Sequence, residues 1–482
     1  MTSRIMLAAL LLALAPLGLA QDAAPAKARL IVLTDIEADP DDTQSLVRLM
    51  LYSNEIDIEG LVATTSIHMR GEIHPDSTRA ILDAYDKVRA NLLLHAPNYP
   101  ATAALRSVVV EGQPTYGMAA VGAGKDTPGS RLVVKALESR DARPLWVTAW
   151  GGANTLAQAL YSLRETRGPK EAAALAAKLR VYTISDQDDS GAWLRREFPE
   201  LFYIVSPGGY GGATWTGIHY VVPNLEDHPI NRVISNAWLA EHIQQGHGPL
   251  GAVYPDVAYA MEGDTPAFLG LIPNGLNAPE NPNWGGWGGR YELYLPSLES
   301  IDARGFTGGV PVEPETRAIW TNAQDKVTPD VAGEYGRAAR PGDQTSTGFR
   351  ETLWRWRVAI QNDFAARMAW TTEAAKKANH PPVPRLRHPI AITLRSGERF
   401  TLDATGSSDP DGDSLSYRWF QYPEAGSWSQ PIPLDGADNL HRRSFVAPKV
   451  AKRETAHFIL EVTDKGSPAL TRYQRVVVAV EP

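Results

Sequence analysis

Leu33-Thr-Asp-Ile-Glu-Ala-Asp-Pro-Asp-Asp-Thr-Gln44 places Asp35, Glu37, Asp39, Asp41 and Asp42 within eight residues, directly after the apolar run Arg29–Leu33. A short apolar run bounded by a turn reads as a buried strand. The residues after that turn read as a helix start: Asp39 suits the cap, Pro40 the first helical position, and Asp41 and Asp42 the positive end of the helix dipole. Clustered carboxylates repel one another unless something positive sits among them. Capping accounts for up to three of the five acids, whereas Asp35 and Glu37 stand before the helix, on the turn where open α/β sheets bind ligands. Hard oxygen ligands in that number favour Ca²⁺ over Zn²⁺. An elaborate helix cap is the competing reading.

Outward from this stretch, Glu59–Thr64, Leu92–His95, Pro144–Ala149, Arg180–Ser185 and Leu201–Val205 read as further strands. Thr43–Tyr52, Ser77–Val88, Gly129–Leu137, Asn154–Leu163 and Lys170–Leu179 read as helices between them. Such alternation predicts an open, mostly parallel sheet with flanking helices. Asn274 to Thr347 is rich in Gly, Pro and Trp with little periodicity, and a strongly helical Thr352–Lys377 closes a first domain over 29–378. The prolines of Asn379-His-Pro-Pro-Val-Pro384 predict a stiff linker over 379–384. Beyond it, Arg399–Ala404, Leu415–Phe420, His457–Val462 and Tyr473–Val480 alternate apolar with polar residues, predicting an Ig-like or cadherin-like β-sandwich over 385–482. Asp409-Pro-Asp-Gly-Asp413 resembles the acidic turn of polycystic-kidney-disease-like and cadherin-like modules, some of which hold Ca²⁺; a plain Pro-Asp-Gly turn explains it equally well.

At the N-terminus, Arg4 precedes an apolar run from Ile5 to Leu19, and Gly18 and Ala20 suit cleavage after Ala20. That layout predicts a signal peptide over 1–20 and a secreted or periplasmic protein. No other segment reaches the ~18 apolar residues that a spanning helix needs, so no membrane partner is expected. The 482 residues include no cysteine, which excludes thiolate chemistry, and a net charge of −8 without a basic cluster argues against nucleic acid. Oligomeric state is not legible.

The acidic strand end resembles that of nucleoside hydrolases, which open with a strand ending in D-x-D-x-x-x-D-D; here the residues are Asp35-x-Glu37-x-x-x-Asp41-Asp42. The resemblance implies Asp42 as a principal Ca²⁺ ligand beside Asp35. It puts Glu37 in the place of the aspartate that both ligates and activates water, and makes Asp41 an acceptor for a sugar hydroxyl. Val147-Thr-Ala-Trp-Gly-Gly-Ala-Asn-Thr-Leu-Ala157 is similar to the family's strand, turn and helix, implying that the Trp150 carbonyl completes the metal shell. Glu262-Gly-Asp-Thr-Pro-Ala-Phe-Leu269 stands where the family keeps a His-Asp pair, implying Asp264 as the distal ligand, with Gly263 in place of the histidine. The three segments keep the family's order between Arg29 and Leu276. More closely, the whole chain resembles the bacterial cellulose-binding proteins with a nucleoside-hydrolase-like N-terminal domain, through Tyr182-Thr-Ile-Ser-Asp-Gln-Asp-Asp189, Glu262-Gly-Asp-Thr-Pro266, Trp284-Gly-Gly-Trp-Gly-Gly-Arg290 and the C-terminal sandwich.

Further candidates lie on the same rim. Asp186 and Asp188 follow an apolar strand and suit sugar hydroxyls or a general acid, against a solvated turn. Trp284 and Trp287 could stack on pyranose rings and Arg290 could bind a hydroxyl or carboxylate, against a packing plug with both indoles buried. His68 stands after the second strand.

The chemistry expected is Ca²⁺-dependent hydrolysis of a glycosidic bond in plant cell-wall saccharides, with Glu37 or Asp39 as the base. A non-catalytic cellulose- or carbohydrate-binding protein is the main rival, and a true nucleoside hydrolase another. An esterase or phosphatase lacks both a histidine-rich ligand set and a G-x-S-x-G elbow.

Overall fold

β1 (Ala28–Thr34) is apolar on both sides because it lies in the middle of a sheet covered on both faces. The computed structural model describes residues 26–301, 305–329 and 345–482; the leader expected over 1–20 lies outside these residues. Flanking β1 are β2 (Ile56–Ala63), β3 (Val109–Glu111), β4 (Leu145–Ala149), β5 (Leu179–Thr183), β6 (Phe202–Val205), β7 (Tyr291–Tyr294) and β8 (Ile319–Asn322). Their order is β3-β2-β1-β4-β5-β6-β8-β7, parallel throughout except for β7, which pairs antiparallel with β8 at one edge. Leu33 of β1 faces Ala149 of β4, so the chain emerges from both strands at one level.

Alternate residues of β1 enter different cores. Leu30 and Val32 pack with α1 (Pro40–Leu51), α2 (Pro75–His95) and the helix Arg357–Ala369, through residues such as Leu46, Leu82 and Phe364. Ile31 and Leu33 pack on the other face with the helices Pro128–Leu137 and Asn154–Arg167, through Val133, Leu156 and Leu160.

Three local expectations are corrected. Leu92–His95 is not a strand but the last turn of α2: Leu92 is buried while Leu93 and Leu94 are exposed, the spacing of a helix with one face inward. The short strand on that edge is Val109–Glu111 instead. The Gly-, Pro- and Trp-rich stretch contributes β7 and β8, and Thr352–Lys377 is two helices, Glu351–Trp354 and Arg357–Ala369.

Towards the C-terminus, Ala391–Arg395, Thr471–Glu481, Glu454–Thr463 and Ser416–Gln421 form a four-stranded sheet, and Arg399–Asp403 pairs with Arg442–Val446. Leu402, Trp419, Phe445, Phe458 and Val476 fill the core between them. Residues 379–384 do not hang free between the two parts. Trp370 Nε1 donates to the Asn379 carbonyl at 2.9 Å, the Asn379 amide donates to Asp464 and to the Pro468 carbonyl, and Val383 pairs with Ser408. Among the described residues no helix is long and apolar enough to cross a membrane.

Candidate functional site

At the end of β1 the backbone turns at once: Ala38 N donates to the Asp35 carbonyl at 2.9 Å, and Asp39, with extended backbone, caps α1 by accepting from Asp41 N at 2.9 Å. Pro40 opens the helix without losing a hydrogen bond, because its nitrogen faces outward at a position with no intrahelical acceptor. α1 thereby carries Asp41 and Asp42 back over the strand end, where the Thr34 hydroxyl donates to Asp42. Asp264 arrives from the far side of the sequence. One carboxylate oxygen each from Asp41, Asp42 and Asp264 lies within 4.8 Å of the others.

Asp35, Asp42 and Asp264 are buried and Asp41 nearly so. Burial pushes all four carboxyls above the ordinary 3.8. Neighbouring acids add to it: after burial, Asp41 is raised by Asp39, Asp42 and Asp35, and Asp264 by Asp41, Asp42, Asp35 and Asp39. Charges so placed stay ionised only with a cation among them. Asp264 Oδ2 is buried without a hydrogen-bond partner, an orphan oxygen pointing to the same conclusion. Trp150 lines the same cavity as these acids, and its carbonyl accepts from Gln187 Nε2 at 2.5 Å with a second lone pair left. An all-oxygen set of carboxylates plus a carbonyl fits Ca²⁺, which takes six to eight oxygens, better than it fits Zn²⁺.

Glycines make this crowding possible. A Cβ on Gly151 would stand 2.6 Å from Asp35 Oδ1, and one on Gly152 2.3 Å from Asp188 Oδ2. Gly263, which replaces the expected histidine, donates its N–H to Asp41 Oδ2 at 3.2 Å, and a Cβ there would lie 2.6 Å from that oxygen and 2.9 Å from Trp215 Cζ3.

Above the acids opens a cavity of about 680 Å³ whose walls are largely aromatic: Trp150, Tyr210, Trp215, Tyr220, Tyr259 and Phe306. His68 joins them, its Nε2 3.2 Å from the Tyr210 hydroxyl and its ring 6.2 Å from that of Phe306. Arg350 lines the rim, stacked over Tyr220 and donating to Thr216 Oγ1. Trp150 Nε1, Trp215 Nε1 and His219 Nδ1 are buried along the wall without hydrogen-bond partners. Burial also pulls His219 down to about 4, so its ring is neutral at pH 7.

Asp35, Asp39, Asp41, Asp42, Asp264 and Trp150 therefore converge, as the sequence suggested. The other candidates lie elsewhere. Glu37 adopts φ 83° and its carboxylate leaves the site, accepting from Ser77 Oγ and lying 3.7 Å from His74 Nδ1 with half its side chain exposed. Asp186 is held by Arg195 in a two-bond pair at 2.8 and 2.7 Å, and Arg195 is shared with Glu315. Asp188 accepts from Ser190 N at 2.9 Å and Asn154 N at 3.2 Å, and burial raises it to about 6; its bonds tie loops together beneath the site. Trp287 is fully buried against Tyr473, Trp284 packs edge-on to His457, and Arg290 pairs with Asp325 at 2.7 Å. The glycine- and tryptophan-rich stretch is thus a plug between the sheet and the C-terminal part, because its indoles and guanidinium find partners there. Sequence reasoning missed Tyr210, Trp215, Phe306 and Arg350; the only signal was the glycine- and aromatic-rich run after β6, Gly208 to Tyr220.

A parallel α/β sheet with buried carboxylates and an aromatic cavity at its strand ends defines a nucleoside-hydrolase-like domain, here joined to a C-terminal β domain. The family model described as cellulose-binding Sde182, nucleoside hydrolase-like domain, matches residues 29–291, and that of the cellulose-binding protein Sde0182 C-terminal domain matches 399–480. The chain belongs to this family. Among solved structures it is similar to a nucleoside hydrolase-related hypothetical protein from Saccharophagus degradans associated with carbohydrate metabolism, at 37% identity and a TM-score of 0.78, over 95% of this chain and 100% of that one. No curated protein matches the chain.

Proposed function

We propose that this protein is an exported, Ca²⁺-dependent hydrolase of glycosidic bonds acting on plant cell-wall saccharides. The observation that carries the reading is the ring of buried carboxylates, Asp41, Asp42 and Asp264 within 4.8 Å, on the floor of an aromatic-walled cavity. Aromatic faces stack on sugar rings and exclude water from the acids below. The family's description as cellulose-binding and the carbohydrate association of its solved relative support a saccharide as the ligand.

Asp35, Asp42, Asp264 and the Trp150 carbonyl would hold the ion. When bound, Ca²⁺ supplies charge that orients water and sugar hydroxyls. Asp41, fixed by Gly263 N, accepts from a sugar hydroxyl. Asp39 is the base: it lines the cavity, is only half-buried, and accepts from Asp41 N through Oδ1, and a carboxylate has lone pairs beyond that one bond to take a water proton. The carboxylates together stabilise the positive charge that develops on the sugar.

A second reading, a carbohydrate-binding protein without turnover, is favoured by one observation: Glu37, the position that activates water in the hydrolases it resembles, is turned out to Ser77. Sugar release from polysaccharides, aryl glycosides and nucleosides, with Ca²⁺ or chelator, separates the two. Chelator-sensitive turnover lost in Asp42→Ala supports the hydrolase; binding with no release from any substrate refutes it in favour of the binding protein.

A further inference from the structure

Among the described residues, Arg350 is the one arginine or lysine that lines the cavity. Its guanidinium is held by neutral groups. Nε donates to Thr216 Oγ1 at 2.9 Å, Nη2 donates to the Gly211 carbonyl, and the plane lies over Tyr220 with Cζ 4.2 Å from the ring centre. Of the five N–H donors of an arginine, both on Nη1 and one on Nη2 are left without an acceptor among the described residues. The backbone is placed as firmly. The Arg350 carbonyl accepts from Leu353 N at 3.1 Å and Trp354 N at 2.9 Å, and a Cβ on Gly217 would stand 2.5 Å from that carbonyl oxygen, so the start of the helix Glu351–Trp354 is pressed against the cavity wall.

A guanidinium fixed in this way is a positive charge without a counter-charge. Arg195 and Arg290, by contrast, are claimed by carboxylates, Asp186 and Glu315 for the one and Asp325 for the other. No carboxylate of the described residues forms an ion pair with Arg350, and the acids of the floor, Asp41, Asp42 and Asp264, gather round one another instead. A half-enclosed cation attracts an anion more strongly than one in open water, and an arginine with free N–H groups takes a carboxylate through two parallel bonds. His219 on the same wall adds no second charge, since burial keeps its ring neutral at pH 7. One positive charge suits a carboxylate better than a phosphate dianion.

We propose that the cavity is built for an acidic sugar, a hexuronic acid residue whose carboxylate is bound by Arg350. Such a ring carries its carboxylate on C5, across from the C2 and C3 hydroxyls. The hydroxyls can therefore meet the acids of the floor while the carboxylate meets the rim. The inference rests on the saccharide reading of the cavity and does not require turnover.

The test is calorimetric titration of the Ca²⁺-saturated full chain with the methyl glycosides of glucuronic and galacturonic acid, each set against its C6 methyl ester and against the neutral hexoside. Esterification removes the charge and keeps the ring, so the ratio of affinities isolates the carboxylate. At least one acid is expected to bind about tenfold more tightly than its ester and its hexoside. Arg350→Gln should bring that ratio close to one, and Arg350→Lys, which keeps the charge without the fork, should restore part of it. Binding of the neutral sugars by the wild type as tightly as the acids overturns the proposal, and so does an Arg350→Gln variant that weakens acid and ester by the same factor. Tighter binding of the 6-sulfate of methyl galactoside than of either acid overturns it in favour of a sulfate ester. A preference for the acid without sugar release from any uronic-acid polysaccharide keeps this inference and overturns the hydrolase reading; release of neutral sugars without that preference does the reverse.

Discussion

Gly263 stands where the acid cluster meets its aromatic wall, and the 2.6 Å and 2.9 Å approaches of a notional Cβ to Asp41 and Trp215 leave no room for a methyl group. Overpacking of this kind costs about 1–3 kcal/mol, and here it falls on the residue directly before Asp264, one of the ligands that would hold the ion. Gly263→Ala is therefore expected to weaken Ca²⁺ binding at the cavity roughly tenfold, read by Ca²⁺ titration. The same carboxylates set a pH dependence. Asp42 is raised above 3.8, first by burial and then by Asp35, so in the ion-free protein the folded state holds its proton more tightly than the unfolded chain. The stability this lends is full below 3.8 and is lost as pH rises through the raised value. Melting temperatures in chelator should fall as pH rises above the ordinary carboxylate range, and both excess Ca²⁺ and Asp42→Asn should flatten the slope. A slope unchanged by Ca²⁺ would contradict an ion among these acids. At this scale the sequence showed which acids cluster but not where Glu37 points, because its direction depends on Ser77 and His74, which come from α2 and the residue before it.

Among the elements, the turn from β4 into the helix Asn154–Arg167 bears most on the site. Gly151 and Gly152 let Asp35 and Asp188 approach the backbone, and Gly152 N donates to the Thr65 carbonyl at 2.9 Å. Gly152→Ala would bring a methyl group 2.3 Å from Asp188 Oδ2, and a loss of about 1–3 kcal/mol is expected from chemical denaturation. Strands β1, β2, β4, β5 and β6 were legible because parallel strands buried on both faces are continuous apolar runs. The end of α2 was misread for the same reason, since Leu92, Leu93 and Leu94 imitate such a run while only Leu92 is buried. β7 and β8 left no clear signal: they are four residues each, and β7 exposes Glu292 and Leu293.

Across the whole molecule, the two parts share a buried polar seam. Arg475 donates to the Leu276 carbonyl at 3.1 and 2.9 Å and to the Gly285 carbonyl at 2.9 Å, and Tyr473 N donates to the Asn274 carbonyl at 3.0 Å. Asp325 receives Arg290, Arg355 and the Tyr422 hydroxyl from both sides of the junction. Burial draws the Arg475 guanidinium down to about 10, still charged at neutral pH. Removing it strands carbonyls that water cannot reach, so Arg475→Met is expected to cost about 2–4 kcal/mol. Calorimetry should show one cooperative transition for the wild type; two separate transitions would mean that the seam does not couple the parts.

What the sequence determined by itself was local: strand and helix alternation, the capped acidic turn after β1, and the small β-rich region after the prolines all follow from periodicity and turn chemistry among near neighbours. The three segments that supply Asp42, Trp150 and Asp264 were visible as separate motifs. Only the tertiary structure decided their partners. Glu37 turned outward, Asp186 was taken by Arg195, and Trp287 and Arg290 were absorbed into the seam. The cavity gained Tyr210, Trp215 and Arg350 from stretches without a motif. The physical reason is that a charged or aromatic side chain is assigned by whatever reaches it on folding, and those neighbours lie up to hundreds of residues away, as Arg475 and Leu276 do.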